Sequence, residues 1–255
     1  MTIASDRAVE IENALLSVRD RLRAACISAG RAEKDVTLLP VTKFFPSSDV
    51  EILYRLGCRE FGESREQEAT VKAHETAEHF ADSPAKWHMI GHLQRNKAKS
   101  VAKWAYSIHS VDSARLVQAL QNAVHRALGE GERTTPLQVL IQVSLDGDVH
   151  RAGIEREQLD ELVDLVASAE NLSLAGLMAV PPIEADPDSS FAALAELHQR
   201  VLVDHPEAVE LSAGMTGDLE AAVRHGSTCV RVGTAILGSR PITSPVETTV
   251  HISHN

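Results

Sequence analysis

The feature that most constrains this chain is an alternation. Eight short apolar runs recur along it, each followed by a turn and a more polar stretch long enough to carry the chain back. The runs are 36–43 (VTLLPVTK), 59–62, 87–91 (WHMIG), 107–111, 137–145 (LQVLIQVSL), 174–180 (LAGLMAV), 209–212 and 228–232. Such spacing suits repeated strand–helix units with parallel strands. Pro40 inside the first run removes one ladder donor.

The intervening stretches have helical spacing. In 3–29, Ile11, Leu15, Val18 and Leu22 recur at three- and four-residue intervals, and Gly30 ends the pattern. Pro46 opens the next helix, with Ser48 and Glu51 spaced as a capping box. A polar helix is expected over 63–81, a basic segment over 94–103, and a helix from a cap at Asp112 to about 128. Further helices are expected over 155–169, 188–203 and 218–225.

With 255 residues and 44% apolar content, the chain can fill one full core. The economical architecture is an α/β fold: a single (β/α)8 TIM-type barrel over about 36–240 with an extra N-terminal helix, forming one domain over 1–255. A doubly wound open sheet would want a glycine fingerprint after the first strand, and Lys43-Phe44-Phe45-Pro46 offers none.

A net charge of −11 argues against a nucleic-acid or anionic-membrane partner, though not against a small phosphorylated ligand. The N-terminal MTIASDRAVEIE has neither the basic start nor the apolar core of a signal peptide. Cys26, Cys58 and Cys229 form no CxxC pair and read as reduced thiols, so a cytoplasmic location is expected.

The last two strand ends carry the densest chemistry. The stretch 211–238 reads LSAGMTGDLEAAVRHGSTCVRVGTAILG, a strand, glycine turn, helix, strand and second glycine turn. Glycine lets backbone N–H groups approach an anion, and Ser212 and Thr234 add hydroxyls. In a (β/α)8 barrel, phosphate sits at the loops after strands seven and eight.

Lys43 ends the first run at the expected barrel mouth. Such a lysine is either an ion-paired charge or, when partly desolvated, a nucleophilic Schiff-base amine. Facing a phosphate, it suits a pyridoxal phosphate (PLP) site or a class I aldolase. Arg231 is the one charge in CVRVG and shares a face with Gly233. It is placed either to meet a pyridine nitrogen or to pair with an acid such as Glu63.

The motifs PVTK, FGESREQEA, WHMIGHLQRNK, GLMAVPP and the 211–238 stretch, in this order, resemble those of the pyridoxal phosphate homeostasis protein family. That resemblance implies a fold type III barrel like the alanine racemase N-terminal domain and a role in vitamin B6 supply. It implies PLP held as an internal aldimine on Lys43, with phosphate at Ser212, Gly233 and Thr234 and Arg231 at the ring nitrogen. It also places Met215, Met178, Met89 and Ser64 around the cofactor. Ser64 stands where relatives have Asn, and in the 146–151 loop Arg151 replaces a lysine.

The family reading implies a PLP carrier without substrate turnover, with PLP-dependent apo-enzymes as partners. A racemase would need a second acid–base residue across the cofactor. The sequence has two tyrosines, Tyr54 and Tyr106, expected away from the mouth, and the chain ends at Asn255 with no expected C-terminal β-domain. A monomer is expected for the same reason. His88 and His92 are spaced i, i+4 but straddle Gly91 at a strand end, so no metal site is expected, and the other histidines read as ordinary polar residues.

Overall fold

The computed structural model describes residues 3–147, 152–182 and 184–239. Arg151, the expected lysine replacement, lies outside the described residues. Helix α1 (Ile3–Ser28) precedes an alternating series: β1 (Thr37–Pro40), α2 (Ser47–Arg55), β2 (Glu60–Glu63), α3 (Glu66–Ala77) and β3 (Lys86–Met89). Next come α4 (Ala98–Trp104), β4 (Ala105–Val111), α5 (Ala114–Gly129), β5 (Leu137–Gln142), α6 (Leu159–Ala167) and β6 (Leu172–Met178). The series ends with α7 (Pro187–Asp204), β7 (Glu210–Ser212), α8 (Leu219–Arg224), β8 (Cys229–Val232) and α9 (Thr234–Leu237).

The strands are parallel, in the order β1-β8-β7-β6-β5-β4-β3-β2. The two ends of that order meet where Val41 bridges Gly62 and the Thr42 N–H donates to Gly62 O at 3.0 Å. The sheet is therefore a TIM-type (β/α)8 barrel. No described helix is long and apolar enough to cross a membrane.

The apolar core lies mainly between strands and helices. Ile11, Leu15, Val18 and Leu22 of α1 are buried in one cluster with Val230, Val232, Leu219 and Val223. At about 2 kcal/mol per large side chain removed from water, this face fastens α1 to β8 and α8. Arg21 reinforces the joint by donating to Thr216 O at 2.6 Å. Inside the barrel the apolar patch is small, Leu140, Ala175 and Met178. The interior also takes Leu39 and Val41, and it is rich in polar groups, with His88, His109, Gln142, Ser212 and Arg231 buried.

Two caps differ from expectation. Ser48 lies inside α2, whose cap residue is Pro46 with no side-chain bond, so no capping box forms. Asp112 stands before the cap of α5, which is Ser113, also without a side-chain bond. Both helices start right after barrel-rim turns, and tertiary closure of those turns set their first residue.

Candidate functional site

Strand β1 ends at Pro40, three residues earlier than the sequence suggests, so Lys43 sits in the turn beyond it. After Val41 the backbone leaves the ladder to enter α2. Phe44 makes the reversal with φ 71°, the one non-glycine residue of positive φ among the described residues. Lys43 is half-buried, with Nζ 6.0 Å from the Phe44 ring centroid. The Arg65 guanidinium lies over the same ring at 4.7 Å.

The end of β8 adjoins this turn. Pro40 pairs with Val232 and Leu39 with Arg231. A side chain at Gly233 would press within 3.3 Å of Val41 O, so the two segments approach as closely as glycine permits. Among the described residues, none accepts from the backbone N–H of Gly233, Thr234 or Ala235. The preceding glycine turn faces the same end. Gly214 has φ 91°, and its carbonyl accepts Arg231 N–H at 2.9 Å. The Met215 N–H is held by Asp218 at 2.6 Å, and the Met215 side chain is partly exposed.

Arg231 is buried but does not pair with Glu63. It donates to Ser212 Oγ at 2.6 Å and to Ala179 O at 2.9 Å. Glu63 is instead held by Lys72 at 2.7 Å, since α3 folds back over the end of β2. From Ser212 a hydrogen-bonded chain runs down the barrel. Ser212 Oγ lies 2.9 Å from His109 Nδ1, and His109 Nε2 lies 3.0 Å from His88 Nδ1. His88 Nε2 then approaches Glu60 Oε2 at 3.3 Å.

The upper end of that chain is anchored by Arg231. Arginine only donates, so Ser212 Oγ accepts from it, and the hydroxyl's remaining hydrogen-bonding capacity is shared with His109. His109 and His88 share the 3.0 Å contact, one ring nitrogen donating to the other, and His88 Nε2 stands close to the Glu60 carboxylate. Burial, with His88 and Arg231 nearby, holds the His109 pKa well below the usual histidine value. The close approach of His88, assisted by Lys86, brings Glu60 down to about 2. Burial pushes the Cys229 thiol up to about 12, so it is no nucleophile.

His88 and His109 were missed as site residues. The available signal was a polar residue at alternate positions of otherwise apolar strands, WHM and IHS. His92 is exposed beyond β3 and does not converge with His88. The same alternation corrects Met89. With His88 inward, Met89 points outward and packs with Leu93 and Ile108 in the outer core. Met178 does lie in the interior patch, paired with Ser212 across β6 and β7. Ser64 follows β2 at the rim, where a side chain on Gly91 would strike its backbone. In the basic segment, Lys97 pairs with Glu66 at 3.2 Å and Lys103 with Glu132 at 2.5 Å.

Residues 20–241 match the family described as alanine racemase, N-terminal domain. The pyridoxal phosphate homeostasis protein of Mycobacterium leprae is 50% identical over 251 residues, covering 95% of this chain and 98% of the relative. The protein of the same name from Corynebacterium glutamicum is 44% identical over 223 residues, covering 87% and 98%. Among solved structures, PipY of Synechococcus elongatus with PLP bound is 30% identical with a TM-score of 0.72, covering 89% of this chain and all of that one. Alanine racemase of C. glutamicum, at 13% identity and a TM-score of 0.62, covers 90% of this chain and 60% of that one, a likeness of fold.

Proposed function

The chain belongs to the alanine racemase N-terminal-domain family and, within it, to the pyridoxal phosphate homeostasis proteins, and from that premise we propose that it binds PLP at the barrel mouth with Lys43 as covalent anchor. Its role is in PLP homeostasis, as a carrier without substrate turnover.

The observation that carries this reading is the pairing of two unlike groups across the β1/β8 seam. On one side is the half-buried Lys43 amine. On the other, Gly233 and Thr234 N–H groups with no acceptor among the described residues stand two and three residues beyond a buried, hydrogen-bonded Arg231. The residues present fit the cofactor. Gly214 and Gly233 keep side chains away from the approach to those donors, and the half-buried Thr216 adds a hydroxyl in the same turn.

When bound, PLP supplies an aldehyde that condenses with amines and a ring whose electron withdrawal depends on its nitrogen. Lys43 presents the amine. The N–H groups of Gly233 and Thr234, with the Thr234 and Thr216 hydroxyls, would hold the phosphate. Arg231 would meet the ring nitrogen and, as a donor that does not give up its proton, would favour the unprotonated ring. The Ser212 hydroxyl is engaged by Arg231 and His109, so Ser212 acts by holding Arg231 in place. Met178 and Met215 border the site, and Ser64 lines its rim.

Two side-chain placements support the absence of turnover. Tyr54 is stacked on Phe80 at 3.8 Å with its hydroxyl on Ser83 O, on the outer helical layer. Tyr106 lies beside Lys86 at the opposite end of the barrel. Neither offers a second base at Lys43. A monomer in the cytoplasm passing PLP to apo-enzymes completes the reading.

An absorption spectrum before and after borohydride tests it, with peptide mapping of the reduced adduct. A visible band that bleaches, with the adduct on Lys43, is the expected result. A protein that stays colourless with added PLP would overturn the assignment. Incubation with a PLP-dependent apo-enzyme tests the carrier role, and cofactor that never leaves would sink it.

A further inference from the structure

We propose that Lys72 is the positioning residue for Lys43, an inference that rests on the reading of Lys43 as the cofactor's anchor. Lys72 lies on α3 and is 4% exposed. Its ammonium makes three bonds of 2.7 Å, to Thr42 O, Glu63 Oε1 and Glu68 Oε1. An ammonium has three hydrogens, so its donors are all engaged.

Each bond leads to a residue flanking Lys43. Thr42, directly before it, is held through its carbonyl by Lys72 and through its hydroxyl by Glu63 Oε1 at 2.6 Å. Phe44, directly after it, donates its N–H to Glu68 Oε1 at 2.5 Å. The turn closes on itself through Phe45 N–H to Thr42 O at 3.1 Å. The backbone on both sides of Lys43 is thus tied to one buried nitrogen.

Phe44 explains why such a tie is needed. A bulky side chain at φ 71° is unfavourable unless surrounding bonds over-determine it. Without the tie, the 42–45 segment would relax towards an ordinary conformation, and the Lys43 side chain would re-aim. Geometric placement is worth much to a covalent step, and about 1 Å of misplacement can cost on the order of a hundredfold.

Stability alone is a weaker account of the same contacts. A buried ion pair is often no better than well-packed apolar residues of the same volume. Here the pair is joined to the one turn that carries the anchor. The full engagement of Lys72 also makes it a poor nucleophile and leaves the capture of an aldehyde to Lys43.

The test uses the full chain with Lys72→Met, and with Lys72→Met/Glu63→Gln, which removes both buried charges together and keeps an acceptor for Thr42. Two ligands are compared: PLP, whose capture joins Nζ to the aldehyde carbon with loss of water and is trapped by borohydride, and pyridoxine 5′-phosphate, which has no aldehyde. The expected result for the folded double variant is at least a tenfold slower capture of PLP on Lys43, with pyridoxine 5′-phosphate affinity within about twofold of wild type. Hydrogen exchange should speed up at Phe44 and Phe45. Unchanged capture, or an equal loss of both ligands, would overturn the inference while the PLP reading stands. A wild-type chain that captures no PLP would overturn both.

Discussion

His109 Nδ1 stands 2.9 Å from Ser212 Oγ, with both side chains fully buried, so a histidine in the middle of the barrel bonds the same hydroxyl that Arg231 does. Because Ser212 is also the acceptor for Arg231, the orientation of the residue assigned to the ring nitrogen depends on strands β3, β4 and β7 as well as on β8.

His109→Leu removes that support and leaves Ser212 and His88 each short of a buried partner. Lost buried hydrogen bonds cost about 1–3 kcal/mol each. The variant should melt earlier, and its PLP titration should show about tenfold weaker binding. An unchanged titration would show that Arg231 holds its place without the chain.

Acid should weaken the barrel through Glu60. The carboxyl falls from an ordinary 4.5 to about 2 in the folded state, chiefly through its contact with His88. A depressed carboxylate pKa contributes stability that is fully present above the unfolded value. That contribution is lost as pH falls from about 4.5 through about 2. Glu210 in the same cavity is shifted up by burial and acts in the opposite sense, so Glu60→Gln is the informative comparison. The stability gap between wild type and Glu60→Gln, from denaturant midpoints, should be largest near neutrality and shrink across that window.

Gly214→Ala meets two obstacles. Its φ of 91° disfavours any side chain, and the added carbon would lie 2.5 Å from Ala222 Cβ. Strain and overpacking together should cost about 3 kcal/mol. Urea midpoints measure that loss, and phosphate-dependent retention of pyridoxine 5′-phosphate should fall in parallel.

Lys43→Ala separates the covalent and non-covalent parts of the site. Borohydride should trap no adduct, while PLP still binds through its phosphate in equilibrium dialysis. Complete loss of binding would mean that the Gly233 and Thr234 donors contribute less than their geometry suggests.

Arg21→Ala tests how far α1 matters to the glycine turn. Its pairing with Glu220 is between half-exposed groups and is worth about 0.2–1 kcal/mol. Its bond to Thr216 O reaches the turn itself. Melting should shift little, whereas the off-rate of PLP should rise several-fold in a stopped-flow chase.

What the sequence alone determined was the architecture, and with it the segments that meet at the barrel mouth. Strand and helix periodicity are local properties, and glycine turns after two consecutive strands mark a phosphate-type rim wherever the barrel closes. The tertiary structure decided what those residues touch. Arg231 found Ser212 and not Glu63, because α3 brings Lys72 onto Glu63. Met89 turned outward because its neighbour His88 took the interior. Lys43 left the strand because Phe44 adopts a positive φ under bonds from residues more than twenty positions away. Pairing inside a barrel joins strands distant in sequence, and no local period encodes which buried donor meets which acceptor.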